Sequence, residues 1–258
     1  MQHKQGDFLQ SIQAKLNSQA GQLQSIKTEL KQLTRSNDNT KDKIVLTNKM
    51  EFLQYIKKGI IHVGANTGQE RNFYGDSLNV LWIETIPKTF QALCKNVRNF
   101  SRHKCLNYLI SSDDNKEYVF NIANQTGRSS IYQFTNHHYK DPRFKQNKSV
   151  KMKARRLDSL IQEKIINMNL YDALVTDCQG ADYDVIISLG KKIKEFKIVK
   201  TEVMIKEIYK SITLEPQITN YMNLMGFELV TNFSYRIGAT QRDNIYWNRK
   251  FSLENNCS

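Results

Sequence analysis

Asp177, Glu202 and His138 are the residues placed to move a proton. The run Tyr171 to Asp177 reads as a buried strand ending in an acid, and Cys178-Gln179-Gly180 turns it into a helix over Ala181 to Leu189. Lys197 to Val203 reads as a further strand and carries Glu202. Ligands of open α/β sheets bind beyond the carboxyl ends of the strands, so both acids are expected to face one crevice. A carboxylate there accepts a proton from a weak acid only if the site is dry enough to raise its basicity above the ordinary value of about 4. Histidine is the better base near neutral pH, and His138, in the loop Thr135-Asn136-His137-His138, is the rival; its plainer reading is a solvated loop residue.

A second group is placed to hold a ligand. Ile60, Ile61 and Val63 make a short buried-strand run, and Gly64-Ala65-Asn66-Thr67-Gly68 follows as a turn where backbone passes close to something bulky side chains would exclude. Glu84 then closes a second strand, Val80 to Ile83, sixteen residues past Gly68, where an acid can accept both hydroxyl hydrogens of a ribose. Asn66 stands where a dinucleotide motif has its second glycine. That suits a nucleoside ligand without a pyrophosphate, such as S-adenosylmethionine, whose amino-acid end needs polar partners. An ordinary strand-turn-helix connection with no ligand is the alternative. Leu106 to Ile110 reads as a third strand, and Ser112 and Asp113 after it can reach an adenine ring or form a solvated turn.

The elements that must position these groups alternate along the chain. Pro87 opens an amphipathic helix carrying Phe90, Leu93, Cys94 and Val97. Tyr118 to Ile122 reads as another strand, Ile218 to Met225 as a helix stopped by Gly226, and Phe227 to Thr231 with Asn244 to Trp247 as a late antiparallel pair. Met50, Phe52, Leu53 and Ile56 suggest a short lead-in helix at one edge of the ligand pocket. Upstream, Leu9, Leu16, Leu23 and Leu30 repeat at seven, and Ile12, Gln19, Ile26 and Leu33 form a second seam, the pattern of a coiled coil with one polar core position. The expected organisation is an oligomerisation helix over 1–35, a polar linker and lead-in over 36–58, and an α/β domain over 59–258.

Composition narrows the partners. In 258 residues Lys and Arg outnumber Asp and Glu by 38 to 25, a net +13 that favours anionic partners: nucleotide-linked sugars, acidic glycans, nucleic acid or a membrane surface. The densest basic stretch, Lys140 to Arg156, reads as a solvated face or as a rim attracting an anionic acceptor. Cys94, Cys105, Cys178 and Cys257 make no ligand cluster with histidine, so no metal is expected and the thiols are read as reduced. No apolar run approaches the ~18 residues that span a bilayer, and the placement expected is cytoplasmic.

His62-Val63-Gly64-Ala65-Asn66, Trp82-Ile83-Glu84, Leu157-Asp158-Ser159-Leu160, Asp177-Cys178-Gln179-Gly180-Ala181-Asp182 and Thr201-Glu202-Val203, in this order, resemble the FkbM family of methyltransferases over residues 59 to 248. The resemblance implies a class I, Rossmann-like fold with a seven-stranded, mostly parallel sheet and helices on both faces. It also implies S-adenosylmethionine as donor and a hydroxyl acceptor, commonly on a sugar or polyketide. By position, His62, Gly64, Asn66, Gly68, Glu84, Ser112, Asp113, Asp177 and Gln179 would bind the cofactor, with Asp177, Gln179 and Glu202 facing the reaction. Many relatives carry an acid at the position of His62 and a glutamate at that of Asp182. The expectation is therefore an O-methyltransferase acting on a sugar hydroxyl of a glycan or its nucleotide-linked precursor. Two other readings stay open: a catalytically silent oligomeric scaffold, and a nucleic-acid methyltransferase, against which stands the lack of an R-G-F-x-F-type or stacked-aromatic motif interleaved with the basic run.

Overall fold

Apolar residues dominate the first strands, with His62 the one polar side chain inside β1, and this decides the architecture: strands with no polar face must be covered on both sides. A computed structural model describes residues 46, 48, 50–135, 145–234 and 239–251, all within the unit Ile44–Ser258. The heptad segment and His138 lie outside the described residues.

Strand β1 (Gly59–Val63) is buried throughout and pairs in parallel with β2 (Asn79–Ile83) and β7 (Ala173–Thr176). Beyond β2 lies β3 (His103–Leu106), and beyond β7 lies β8 (Ile198–Met204), both parallel to their neighbours. The sheet closes with β10 (Gln241–Asn248) antiparallel to β8, and β9 (Phe227–Phe233) antiparallel to β10. The order is β3-β2-β1-β7-β8-β10-β9, the expected seven-stranded, mostly parallel sheet. Alternation along β1 divides the core: Ile61 and Val63 pack with Leu174, Val185, Val199 and Met222 on one face, and Ile60 packs with Trp82, Leu93, Val97 and Val175 on the other.

The short helix α1 (Arg71–Tyr74) follows the glycine turn, and α2 (Pro87–Val97) buries Leu93 and Val97 behind a proline in its first turn. Helices α3 (Leu157–Gln162), α4 (Asp182–Ile187) and α5 (Glu215–Leu224) cover the sheet. The lead-in segment is a 3-10 turn, Glu51–Tyr55, whose Phe52 is wholly buried in the Trp82 core; it packs beneath the sheet and contributes nothing to the ligand cleft.

The third strand departs from expectation. β3 stops at Leu106, and Leu109–Ile110 form β4 of a second sheet, ordered β4-β6-β5, with β5 at Glu117–Ala123 and β6 at Gln146–Arg155. Asn107 fixes the break by donating to the carbonyls of Glu84 and Thr85 at 2.7 and 3.0 Å. β4 is thereby free to pair with Ala154 and Arg155. No helix among the described residues is long and apolar enough to cross a membrane.

Candidate active site

The carboxyl ends of β1, β2 and β7 open into one cleft. Gly64 has φ +80°, and a methyl group on it would come within 2.1 Å of the Asp177 carbonyl oxygen, so glycine lets the turn after β1 lie directly against the end of β7. Gly68, at φ +71°, serves packing instead: a methyl there would meet Leu93 of α2 at 2.8 Å, and it does not line the cleft.

Glu84 is buried at the tip of β2. Its Oε2 accepts the Asn66 amide hydrogen at 2.9 Å and its Oε1 that of Ile86 at 2.8 Å. Burial raises its carboxyl to about 7 against the three backbone hydrogen bonds that lower it. The carboxylate keeps acceptor capacity for a further donor. Ile86, Leu109, Ile110, Phe120 and Ile131 form an apolar wall facing this polar end. His62 lines the floor but is committed elsewhere: its Nδ1 is 3.1 Å from the Tyr74 hydroxyl and its ring stacks on Trp82. Burial, helped by Lys200, lowers it to about 3, which keeps the imidazole neutral. Ser112 and Asp113 are not brought to the cleft. They follow β4 into the small sheet, where Asp113 accepts from Tyr118 at 2.6 Å and pairs with Lys116 at 3.0 Å.

Beyond Asp177 a second cleft opens, lined by Asn124, Gln125, Gly127, Arg128, Asp177, Gln179, Glu202 and Gln241. Gln179, buried at φ +52°, donates from Nε2 to Asp177 Oδ1 at 2.8 Å and to Glu202 Oε2 at 2.9 Å, while its Oε1 accepts from the Tyr209 hydroxyl at 3.0 Å. Burial, then Asp177, Asp182 and Asp243, push Glu202 well up. Asp177 is also raised by its deep placement although its side chain stays exposed to the clefts, and the Gln179 amide and Lys200 oppose the rise. Lys200 forms a buried ion pair with Asp243 at 3.0 Å, the compensating charge beneath this acidic crevice.

Sequence reading had placed Gly64, Asn66, Glu84, Asp177, Gln179 and Glu202, which the fold brings together. It does not find Gln241 or the segment Asn124 to Ile131, which carry no local motif and reach the clefts from the antiparallel strand and the small sheet, nor Tyr209, Lys200 and Asp243, which support the clefts without lining them.

A sequence profile of the Methyltransferase FkbM domain matches residues 62–229, well over half of the chain. The chain belongs to the FkbM methyltransferase family. No curated protein matches it. Among solved structures, the FkbM methyltransferase from Methylobacillus flagellatus KT is similar at 13% identity and TM-score 0.45, covering 74% of this chain and 43% of that one. Aeropyrum pernix fibrillarin in complex with S-adenosyl-L-methionine is similar at 11% identity and TM-score 0.41, covering 74% and 66%. M. capricolum TrmK in complex with S-adenosyl-homocysteine is similar at 8% identity and TM-score 0.44, covering 81% and 71%.

The FkbM chain takes S-adenosylmethionine as its cofactor, and the first cleft fits it. Glu84 would offer its spare acceptor capacity to ribose hydroxyls, the apolar wall would suit a purine, and Asn66 would supply a polar partner for the amino-acid end.

Proposed function

We propose that the protein methylates a sugar hydroxyl of a glycan or of its nucleotide-linked precursor. The observation that carries this reading is the junction of the two clefts: Gly127, Asp177 and Gln179 line both, so an all-polar acceptor cleft opens onto the cofactor cleft at a carboxylate. Apart from Gly127, every residue lining the acceptor cleft offers a hydrogen-bonding side chain and none is aromatic, which matches a polyhydroxylated ligand better than a stacked base. Arg128 adds a cation for a phosphate or carboxylate on the same acceptor.

S-adenosylmethionine supplies a methyl group on a cationic sulfur. The protein's part is alignment and proton removal: the acceptor cleft orients the hydroxyl in line with that methyl, and the Asp177–Glu202 pair receives the hydroxyl proton as its oxygen forms the new bond. The setting proposed is cytoplasmic, with copies held together by the heptad segment so that several sites engage one anionic, polymeric acceptor. Incubating the full chain with methyl-labelled S-adenosylmethionine and, separately, nucleotide-linked sugars, purified glycans and RNA tests it. Label in a carbohydrate fraction is expected; label in RNA alone overturns the reading.

A further inference from the structure

Asp177 and Glu202 share one amide clamp, yet their surroundings differ. Glu202 is 3% exposed and both its oxygens are occupied: Oε2 by Gln179 Nε2 at 2.9 Å and Oε1 by Gln241 Nε2 at 2.5 Å. Asp177 is exposed, and only its Oδ1 is taken, by the other hydrogen of Gln179 Nε2 at 2.8 Å. Among the described residues nothing hydrogen-bonds Oδ2. Asp177 also lines both clefts, whereas Glu202 lines the acceptor cleft alone. Tyr209 completes the clamp, holding Gln179 Oε1 at 3.0 Å with its ring stacked 5.0 Å from Phe134.

Building on the function proposed above, we infer that the two acids divide the work. Asp177 takes the acceptor's proton through Oδ2, and Glu202, held by Gln179 and Gln241, is a positioning residue that fixes the Asp177 carboxylate through the shared amide. In the step, the hydroxyl O–H bond breaks and its proton moves to Asp177 Oδ2. The hydroxyl oxygen gains the methyl carbon as the sulfur–carbon bond breaks, and the sulfur keeps that electron pair.

The charges around the pair agree with this division. Asp182 from α4 raises Glu202, Asp243 from β10 raises both acids and Lys200 from β8 lowers both; His62 from β1, held neutral, adds no charge, and the Tyr209 hydroxyl sits between Gln179 Oε1 and the Arg128 carbonyl. The more deeply buried Glu202 therefore binds its proton first as pH falls, leaving Asp177 ionised and able to accept. The amide of Gln241 can present either end to a neutral or an ionised Glu202, so the positioning contact survives both states.

Two measurements decide the matter. Carboxyl 13C titration of the cofactor-free full chain, assigned with Asp177→Asn and Glu202→Gln, should show the Asp177 step at lower pH than the Glu202 step; the reverse order overturns the inference. Labelled methyl transfer to a mixture of nucleotide-linked sugars should fall about 10³-fold in Asp177→Asn. In Glu202→Gln, an isosteric change that can keep the clamp, it should fall about tenfold or less, with the acid limb of the pH profile left in place because Glu202 is already neutral where Asp177 takes its proton. Equal losses in both variants, or a larger loss in Glu202→Gln, overturn the division of labour. If both keep wild-type turnover, it is the carboxylate base of the proposed function that fails, and His138 inherits the role.

Discussion

Replacing Glu84 with glutamine removes one charge at the bottom of the cofactor cleft and turns one of its two acceptor atoms into a donor. In the cofactor-free protein the carboxyl is raised from 4.5 to about 7, so its ionised form is destabilised by about 3 kcal/mol relative to the unfolded chain. Because the folded state binds this proton more tightly, the contribution is full below pH 4.5 and is lost as pH rises through about 7. Ribose hydroxyls donating to the carboxylate favour the ionised form, so wild-type affinity for S-adenosylhomocysteine should rise about tenfold between pH 6 and pH 8 and then level off. Hydrogen bonds to a charged group are worth about 1.5–3 kcal/mol, which makes the Glu84→Gln loss about 10- to 150-fold at pH 8. A glutamine also cannot satisfy the Asn66 and Ile86 amides with both its atoms, since its NH₂ group meets a donor at one of them. Isothermal calorimetry at pH 6, 7 and 8 measures all of this. Wild-type affinity that is flat with pH, or an unchanged affinity in Glu84→Gln, refutes the assignment of Glu84 to the ribose.

Three further outcomes are expected. Gly64→Ala forces φ +80° on a side-chain-bearing residue and drives a methyl into the Asp177 carbonyl, so thermal denaturation should show a loss of about 3 kcal/mol or more; a near-native melting temperature would mean the turn sits elsewhere. Tyr209→Phe removes the donor to Gln179 Oε1 and should lower stability by about 0.5–1.5 kcal/mol in denaturant titration while keeping the stack on Phe134; an unchanged stability would remove the hydroxyl from the clamp. Deleting residues 1–35 should yield a monomer that still binds the cofactor, and light scattering giving the same mass before and after the deletion would sink the coiled-coil proposal.

The parallel half of the fold was legible because its strands are buried on both faces: Ile60 to Val63, Val80 to Ile83 and Ala173 to Val175 admit few other structures. Glu84 and Asp177 were legible for a related reason, being acids that end apolar runs. The break after Leu106 was not, because Leu109 and Ile110 are as apolar as the strand they leave; it takes the long-range bonds of Asn107 to Glu84 and Thr85 to reveal it. With that break went the expected placement of Ser112 and Asp113. Gln179 was found by motif, but its partner Tyr209 lies 30 residues away in sequence, and Gln241 lies 39 residues from the Glu202 it holds, distances no local pattern spans.

The segment between β5 and Ile131 borders two sites at once. Ser129 and Ile131 line the first cleft, Asn124, Gln125 and Arg128 line the second, and Gly127 lines both, within one short arch pinned by paired amides between Asn121 and Ser130. A methyl on Gly127 would come within 3.3 Å of Asn66 Nδ2, so the arch has little room to shift against the glycine turn. On the proposed function, substitutions here that retune the acceptor would also alter how long the spent cofactor dwells, so that selectivity and turnover would be inherited together through the same few residues.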